Sequence, residues 1–357
     1  MSKLLLLGCT PPPIGGIAKW TTRMIQTQLP DGWEIVLIDE KLIGRDVFGG
    51  NNRVNYLIEA KRWIKIWSNL VFKLCDKEIK VVHSCPIASR NSMLAENVNA
   101  FIARLFRKKI VLHFRCTVPN MIVSKKQERL LKKLCDKGDI IIALNSQTKL
   151  YLEKITETRI VVLPNFVDQA EIAYSCNKTK EKINTLIYVG GVTKEKGCLE
   201  IIELAKRFPD FTFKLVGEIG EDVREEASKF FNVVLTGVKS SEEVRKELTE
   251  ADVFLFFSHY SGEGFSNALA EAMAAGKPCI VTDWAANADM IDHQKGGYVI
   301  SCGDIDAAQK YLNAMRSSDI RASQSAYNKE KVKNKYSQDI VINEYVKIYN
   351  ELIKRSN

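Results

Sequence analysis

Glu263 and Glu271 stand eight residues apart in the stretch Ser258-His-Tyr-Ser-Gly-Glu-Gly-Phe-Ser-Asn-Ala-Leu-Ala-Glu-Ala-Met-Ala-Ala-Gly-Lys-Pro278. An apolar run, Val253–Phe256, leads into a loop with Gly262 and Gly264. A helical pattern starts near Asn267 and stops at Gly276-Lys277-Pro278, a normal helix exit. The first turn of a helix has backbone N–H groups without helical acceptors, and glycines before it let a ligand come close. Gly264, Phe265, Ser266, Asn267 and Ala268 can therefore seat a diphosphate. Glu263 lies in the loop, and Glu271 lies about two turns into the helix. One carboxylate can face sugar hydroxyls while the other reaches a ribose diol. The plainer alternative is a loop charge and a surface helix charge; the glycines and the helix exit around the pair favour the chemical reading.

Other residues with chemical potential follow apolar runs in the same way. His113 ends Lys109–His113, although a lone histidine there is as readily structural. Gly15-Gly16 and Gly190-Gly191 follow or border apolar runs, as strand-to-helix turns needing φ > 0 do. Lys196 follows the second pair and can meet a phosphate charge. The nearest approach to a D-x-D metal seat, Asp304-Ile-Asp306, follows Gly303 near a helix start and reads as a cap. We therefore expect no metal and no other cofactor. The nine cysteines are scattered with no C-x-x-C pair, which suits reduced thiols in a cytoplasm.

These residues need elements that place them. Short β-branched runs alternate with longer amphipathic stretches along the chain, the signature of βα units and parallel sheets. In the first half the runs are Lys3–Leu7, Glu34–Ile38, Lys80–His83, Lys109–His113, Ile140–Leu144 and Ile160–Leu163. Helical patterns include Ile17–Gln28, Tyr56–Leu74 and Glu128–Lys137. A lysine-rich polar stretch, 177–184, reads as a linker. The series restarts with Thr185–Val189, Thr212–Val216, Val233–Leu235, Val253–Phe256, Cys279–Thr282 and Tyr298–Ile300. Two doubly wound halves are expected, with ligands beyond the carboxyl ends of the strands.

The segment around Glu263 and Glu271 resembles the E-G-F…E-A-M-A-x-G signature of family-4 (group 1) glycosyltransferases, and weaker motifs in the family's order run along nearly the whole chain. Pro13-Ile-Gly-Gly-Ile-Ala18 looks like the family's first loop, with Gly15 and Gly16 opening a helix that faces the donor. His113 matches its strand-end histidine, which hydrogen-bonds the transferred sugar. Leu163-Pro-Asn-Phe-Val-Asp168 is similar to its P-N-G-V-D crossover, with Phe166 in place of glycine. Val189-Gly-Gly-Val-Thr-Lys-Glu-Lys-Gly197 resembles its donor-phosphate loop: Lys196 matches the lysine, Gly191 stands where the family has arginine, and Lys194 is the nearest alternative cation. Val216-Gly217 and Thr236-Gly237-Val238 look like base-contacting turns. Trp284-Ala-Ala-Asn287 stands where relatives commonly have Gly-Gly.

The resemblance implies a GT-B α/β fold: two Rossmann-like doubly wound domains facing across a cleft. An acceptor domain would cover 1–170 and a donor domain 183–335, with 336–357 crossing back to the first. The implied activity is retaining transfer of a sugar, from a nucleotide-sugar donor (UDP by family prior) to a glycan or lipid-linked acceptor, in bacterial surface polysaccharide synthesis. Glu263, His113 and Lys196 would be catalytic; Gly15, Gly16, Gly190, Gly217, Val238 and Gly264 to Ala268 with Glu271 would bind donor. The terminal helix, 336–352, would carry the stripe Ile340, Tyr345, Ile348, Tyr349 and Leu352, which any packed helix would also show.

Net charge is +9 and uneven: residues 1–165 hold 27 Lys+Arg against 14 Asp+Glu, and the remainder 25 against 29. The basic half suits an anionic partner. In the pattern Tyr56–Leu74, Arg62, Lys65 and Lys73 flank Trp63, Trp67 and Phe72. One reading is docking on an anionic membrane at the cytoplasmic face; the other is an aromatic stripe in the core with solvated lysines. No window approaches the ~20 apolar residues of a membrane span, and the apolar start reads as a first strand rather than a signal peptide. Nucleic acid is not expected, because no recognition motif accompanies the charge. The rivals are a sugar-nucleotide 2-epimerase or phosphorylase of the same fold, and an inactive nucleotide-sugar-binding partner crippled at Gly191.

Overall fold

The computed structural model of the chain describes residues 2–12, 15–41, 56–174 and 179–354. They form two compact units, Met1–Pro164 with Ile342–Asn357, and Asn165–Val341. The expected boundaries at 170 and 336 lie a few residues away from these. The reason is local: Val167 N donates to Tyr336 O at 2.7 Å and Val167 bridges Ser337, so both segments pack with the second unit. Part of the expected linker, and Pro13 and Ile14 of the first loop, lie outside the described residues.

The first unit is a parallel sheet of β1 (Ser2–Gly8), β2 (Trp33–Asp39), β3 (Ile79–Ser84), β4 (Lys109–Phe114), β5 (Ile140–Ala143) and β6 (Ile160–Val162), ordered β2-β1-β3-β4-β5-β6. Leu4, Leu5, Leu6 and Leu7 are all fully buried. A strand with consecutive buried residues must be covered on both faces, which is why its run is continuous rather than alternating. The strand order reverses between β1 and β3, so the crevice of this unit opens there.

The second unit repeats the plan with β7 (Thr185–Val189), β8 (Thr212–Val216), β9 (Val233–Gly237), β10 (Val253–Phe256), β11 (Cys279–Thr282) and β12 (Gly297–Ile300). Their order is β12-β11-β10-β7-β8-β9, the dinucleotide-binding arrangement. Here the reversal falls between β7 and β10. The loops after these two strands are therefore the ones that must meet.

The terminal helix, Gln338–Lys354, begins in the second unit and continues, from Ile342, in the first. Tyr345, Ile348, Tyr349 and Leu352 are buried as expected. Ile340 is 40% exposed, and Val341, Ile342 and Val346 complete the buried stripe instead. Ile340 falls on the outer side of the first turn, where the 3.6-residue period carries it away from Tyr345.

Candidate active site

The switch point of the second unit brings together the residues that follow β7 and β10. A turn over Lys194–Lys196 follows β7, closed by Gly197 at φ 76°. A Cβ on Gly197 would come within 2.2 Å of Phe257 O, so only glycine lets this turn pack on the β10 loop. His259 N also donates to Glu195 O at 2.9 Å. The result is an ion pair, Lys196 Nζ to Glu263 Oε2 at 2.6 Å, with the side chains 24% and 11% exposed. Ser258 Oγ donates to the same carboxylate at 3.2 Å, and the Lys196 ammonium lies 4.4 Å over the Tyr260 ring. Two residues 67 positions apart in sequence thus form one charged centre.

Beside it the helix Asn267–Ala274 begins. Ser266 is its N-cap and accepts from Leu269 N at 3.2 Å, while Ala270 N bonds to Ser266 O. That leaves the first N–H groups, at Asn267 and Ala268, without a helical acceptor. Asn267 is held by Asn165, whose Nδ2 donates to its Oδ1 at 3.0 Å. Phe265 packs edge-on against Tyr336 at 5.3 Å, and Gly264 O accepts from Ala286 N. Glu271 is no surface charge: it is 8% exposed in a helix buried on nearly every side. A carboxylate is kept in such a place only with polar partners.

The remaining residues expected to meet a donor lie farther from this centre. Gly190 (φ 150°) and Gly217 (φ 142°) approach so closely that a Cβ on Gly217 would fall 1.8 Å from Gly190 O. They are glycines because the ends of β7 and β8 close on each other. Gly191 is different. It is exposed, a Cβ there meets nothing within 4 Å, and Tyr188 Oη donates to its carbonyl at 2.8 Å. Lys194 is exposed and Val238 is 77% exposed. Asp304 caps its helix, accepting from Ala307 N at 2.9 Å, and Asp306 pairs with Arg207 at 2.6 Å. Ala285 adopts φ 55°, a left-handed conformation that favours glycine, with Trp284 Nε1 donating to Tyr260 O at 2.8 Å.

In the first unit, Gly15 caps the helix Gly16–Gln26 at φ −151°, which is ordinary extended backbone. Neither Gly15 nor Gly16 has a positive φ, contrary to expectation; a Cβ on either meets nothing within 4 Å, so they leave open space rather than relieve strain. His113 is fully buried one residue before the end of β4, and the fully buried His83 stands one residue before the end of the neighbouring strand β3. The two rings form a chain of bonds: Arg115 to His113 Nε2 at 3.0 Å, His113 Nδ1 to His83 Nε2 at 3.2 Å, and His83 Nδ1 to Tyr349 Oη at 2.7 Å. Arginine can only donate, so His113 Nε2 accepts and its proton is on Nδ1. The same logic puts the proton of His83 on Nδ1, donating to Tyr349. The Arg115 guanidinium also stacks over Trp20 at 4.3 Å. In this arrangement His113 offers no N–H to a sugar; a hydroxyl reaching its Nε2 must displace Arg115 and donate.

Burial and the nearby Arg115 charge push His83 down to about 3, and the same causes, with His83, push His113 well below the ordinary imidazole range. Lowered folded pKa values mean stability lost as pH falls below ~6.5, where the unfolded rings gain protons. Burial raises Glu40 and Glu96 nearby, and that linkage runs the opposite way. Bulk stability therefore mixes both. Nitrogen-15 NMR of the rings separates them: both histidines are expected to stay neutral Nδ1–H tautomers from pH 8 to 5. A ring that titrates near 6.5 would contradict the chain of bonds.

Ser258, Tyr260, His83, Arg115 and Asn165 were not singled out from sequence. A second histidine near a strand end was the available signal for His83; Tyr260 and Asn165 owe their places to contacts distant in sequence, with Lys196 and Asn267.

Two parallel α/β units, the second with its charged centre at the switch point, make up the architecture of the GT-B fold. Solved structures agree: sucrose-phosphate synthase from Thermosynechococcus elongatus matches with TM-score 0.78 at 13% identity, covering 99% of this chain and 100% of that one. Anabaena HepE in complex with UDP-glucose matches with TM-score 0.74 at 14% identity, covering 98% and 100%. Residues 174–332, within the second unit, match the family Glycosyl transferases group 1. Several relatives are named for the synthesis of capsular or other surface polysaccharides. The capsular polysaccharide biosynthesis glycosyltransferase CapM of Staphylococcus aureus is 24% identical over 356 residues, 88% of this chain and 89% of that protein. The UDP-Gal:alpha-D-GlcNAc-diphosphoundecaprenol alpha-1,3-galactosyltransferase of Escherichia coli is 29% identical over 202 residues, 49% of this chain and 50% of that protein.

Proposed function

We propose that the protein transfers a sugar from a UDP-sugar to a glycan or lipid-linked acceptor, with retention of anomeric configuration and without a metal, in bacterial surface polysaccharide synthesis. The observation that carries this reading is the Lys196–Glu263 pair beside the start of the helix Asn267–Ala274. A donor diphosphate seated on the Asn267 and Ala268 N–H groups would draw the Lys196 ammonium from carboxylate to phosphate. Glu263 is then free to accept hydrogen bonds from the sugar hydroxyls, with Glu271 on the ribose.

In the transfer step the bond between C1 and the β-phosphate oxygen breaks and the acceptor oxygen bonds to C1 on the same face. The acceptor proton passes to the leaving phosphate. Charge builds on the diphosphate, where fixed N–H dipoles and Lys196 stabilise it, so no divalent cation is required. The test is transfer from UDP-sugars to a polyprenyl-diphosphate-linked sugar, with and without excess EDTA. We expect an α-linked product from an α-linked donor and an unchanged rate in chelator. An inverted product, or a large loss in EDTA, sinks the corresponding part.

A lipid-linked acceptor favours contact with an anionic membrane, and the helix Tyr56–Leu74 offers the surface for it. Leu57, Ile64 and Phe72 are 75%, 61% and 79% exposed beside the exposed Lys61 and Lys65. The expected flanking residues Arg62, Trp63 and Trp67 belong to the other reading. Arg62 is buried and paired with Glu59 at 2.8 Å, and both tryptophans pack against the core. No described helix is long and apolar enough to cross a membrane. Flotation with vesicles containing anionic lipid is expected to carry the wild type and to lose Ile64→Ser/Phe72→Ser; equal flotation on neutral vesicles would remove the electrostatic part.

A further inference from the structure

We propose that the second unit carries a separate carbohydrate-binding cavity, away from the switch point, that holds a non-reacting part of a neutral glycan chain. The cavity has a volume of about 580 Å³ and its wall includes Gln294, Tyr298, Lys310, Tyr311, Asp319 and Gln324. None of these residues belongs to the loops after β7 or β10. The volume falls within the ~300–1,000 Å³ of small-ligand sites.

Its wall has an ordered aromatic side. Tyr298 and Tyr311 stack in parallel at 4.2 Å and 8°, and His293 meets both edge-on at 5.7 and 5.4 Å. His293 Nδ1 accepts from Val299 N at 3.1 Å, which puts its proton on Nε2, facing Tyr311 Oη at 3.5 Å. Tyr298 is 7% exposed, so the half-buried Tyr311 is the more accessible ring.

The polar side is built as well. Gln294 holds φ 69°, a left-handed conformation uncommon for a non-glycine residue. It is pinned by its N–H to Gly297 O at 2.7 Å and by Gln324 Nε2 donating to its carbonyl at 3.2 Å. Gln324 is 1% exposed, and its Oε1 meets no donor among the described residues. A buried carboxamide oxygen without a donor is costly, which marks a place for a hydroxyl. Lys310 and Asp319 bring opposite charges, so neither an anion nor a cation is preferred. An aromatic face for the C–H side of a ring, carboxamides for hydroxyls and balanced charge together suit a neutral sugar.

The proposal rests on the reading that this enzyme builds glycans. Saturation-transfer NMR with neutral tetrasaccharides of glucose, galactose and N-acetylglucosamine tests it, with and without saturating UDP. Transfer to at least one tetrasaccharide is expected, undiminished by UDP. Tyr311→Ala, and Ser323→Trp, which fills the mouth from an exposed lining position, are each expected to weaken binding at least tenfold. Ser323→Trp should keep the wild-type melting temperature, Tyr311→Ala should melt lower because it loses the stack on Tyr298, and both should keep the wild-type UDP affinity. No transfer at millimolar sugar, transfer abolished by UDP, or affinity unchanged in the Ser323→Trp variant would overturn the proposal. Tetrasaccharide binding with no UDP binding at all would instead overturn the donor reading and leave this site standing.

Discussion

Glu271→Ala protein is expected to melt at nearly the same temperature with and without UDP, while the wild type gains several degrees. At ligand one hundred times the dissociation constant, binding stabilises the folded state by about 2.7 kcal/mol. If Glu271 takes both ribose hydroxyls, its loss removes two hydrogen bonds to a charged group, each worth roughly 1.5–3 kcal/mol. A hundredfold weaker affinity leaves only about 0.4 kcal/mol of stabilisation at the same UDP concentration, which a melting curve barely registers. The burial of Glu271 sharpens this test. A helix residue at 8% exposure could serve the fold alone, and then Ala would lower the melting point of the free protein yet leave the UDP shift intact. Glu271→Gln, which keeps the shape but replaces one acceptor oxygen with an NH2 donor and removes the charge, should fold as well as the wild type and still lose most of the shift. A full UDP shift in Glu271→Gln would take Glu271 out of the donor site.

What was legible in sequence follows from periodicity. Thr185–Val189, Val253–Phe256 and Cys279–Thr282 were readable as strands, ends included, because buried parallel strands are continuous apolar runs closed by glycine or polar residues. Strand order was not readable. Nothing local in Val253–Phe256 says that it pairs with β7, yet that pairing puts the β7 and β10 loops side by side and Lys196 against Glu263. Glu271 could be placed on a helix but not inside one, since Ala-rich surroundings look alike at a surface and in a core. The aromatic helix Tyr56–Leu74 divided in an unforeseen way: Trp63 and Trp67 turn inward while Phe72 faces out. For His113, strand-end position was visible. The bonds to Arg115 and His83 that fix its tautomer were not, because they link neighbouring strands and a loop.

Lys196→Ala is expected to lower kcat by on the order of 100- to 1,000-fold, the usual effect of losing one group that meets transition-state charge. Two consequences separate this from a folding defect. The β10 loop keeps its Ser258 bond to Glu263 and its backbone bond to Glu195, so the unit should remain folded. And if Lys196 meets the leaving diphosphate as proposed, a second cation beside it should add to the effect, so Gly191→Arg is expected to act in the opposite direction. The space at Gly191 is open, its φ is not left-handed, and the bond from Tyr188 to its carbonyl needs no side chain. An arginine can therefore be added without repacking. One charge-assisted bond, discounted for the exposure of this loop, would raise kcat/KM roughly tenfold. In Lys196→Ala/Gly191→Arg the new guanidinium should recover part of the lost rate. Measured kcat and KM for the four proteins form a cycle, and a positive coupling between the two positions identifies a shared phosphate. If Gly191→Arg changes neither parameter while Lys196→Ala remains crippled, a different cation already fills the second role; Lys194, exposed two residues before Lys196, is the first to replace with alanine.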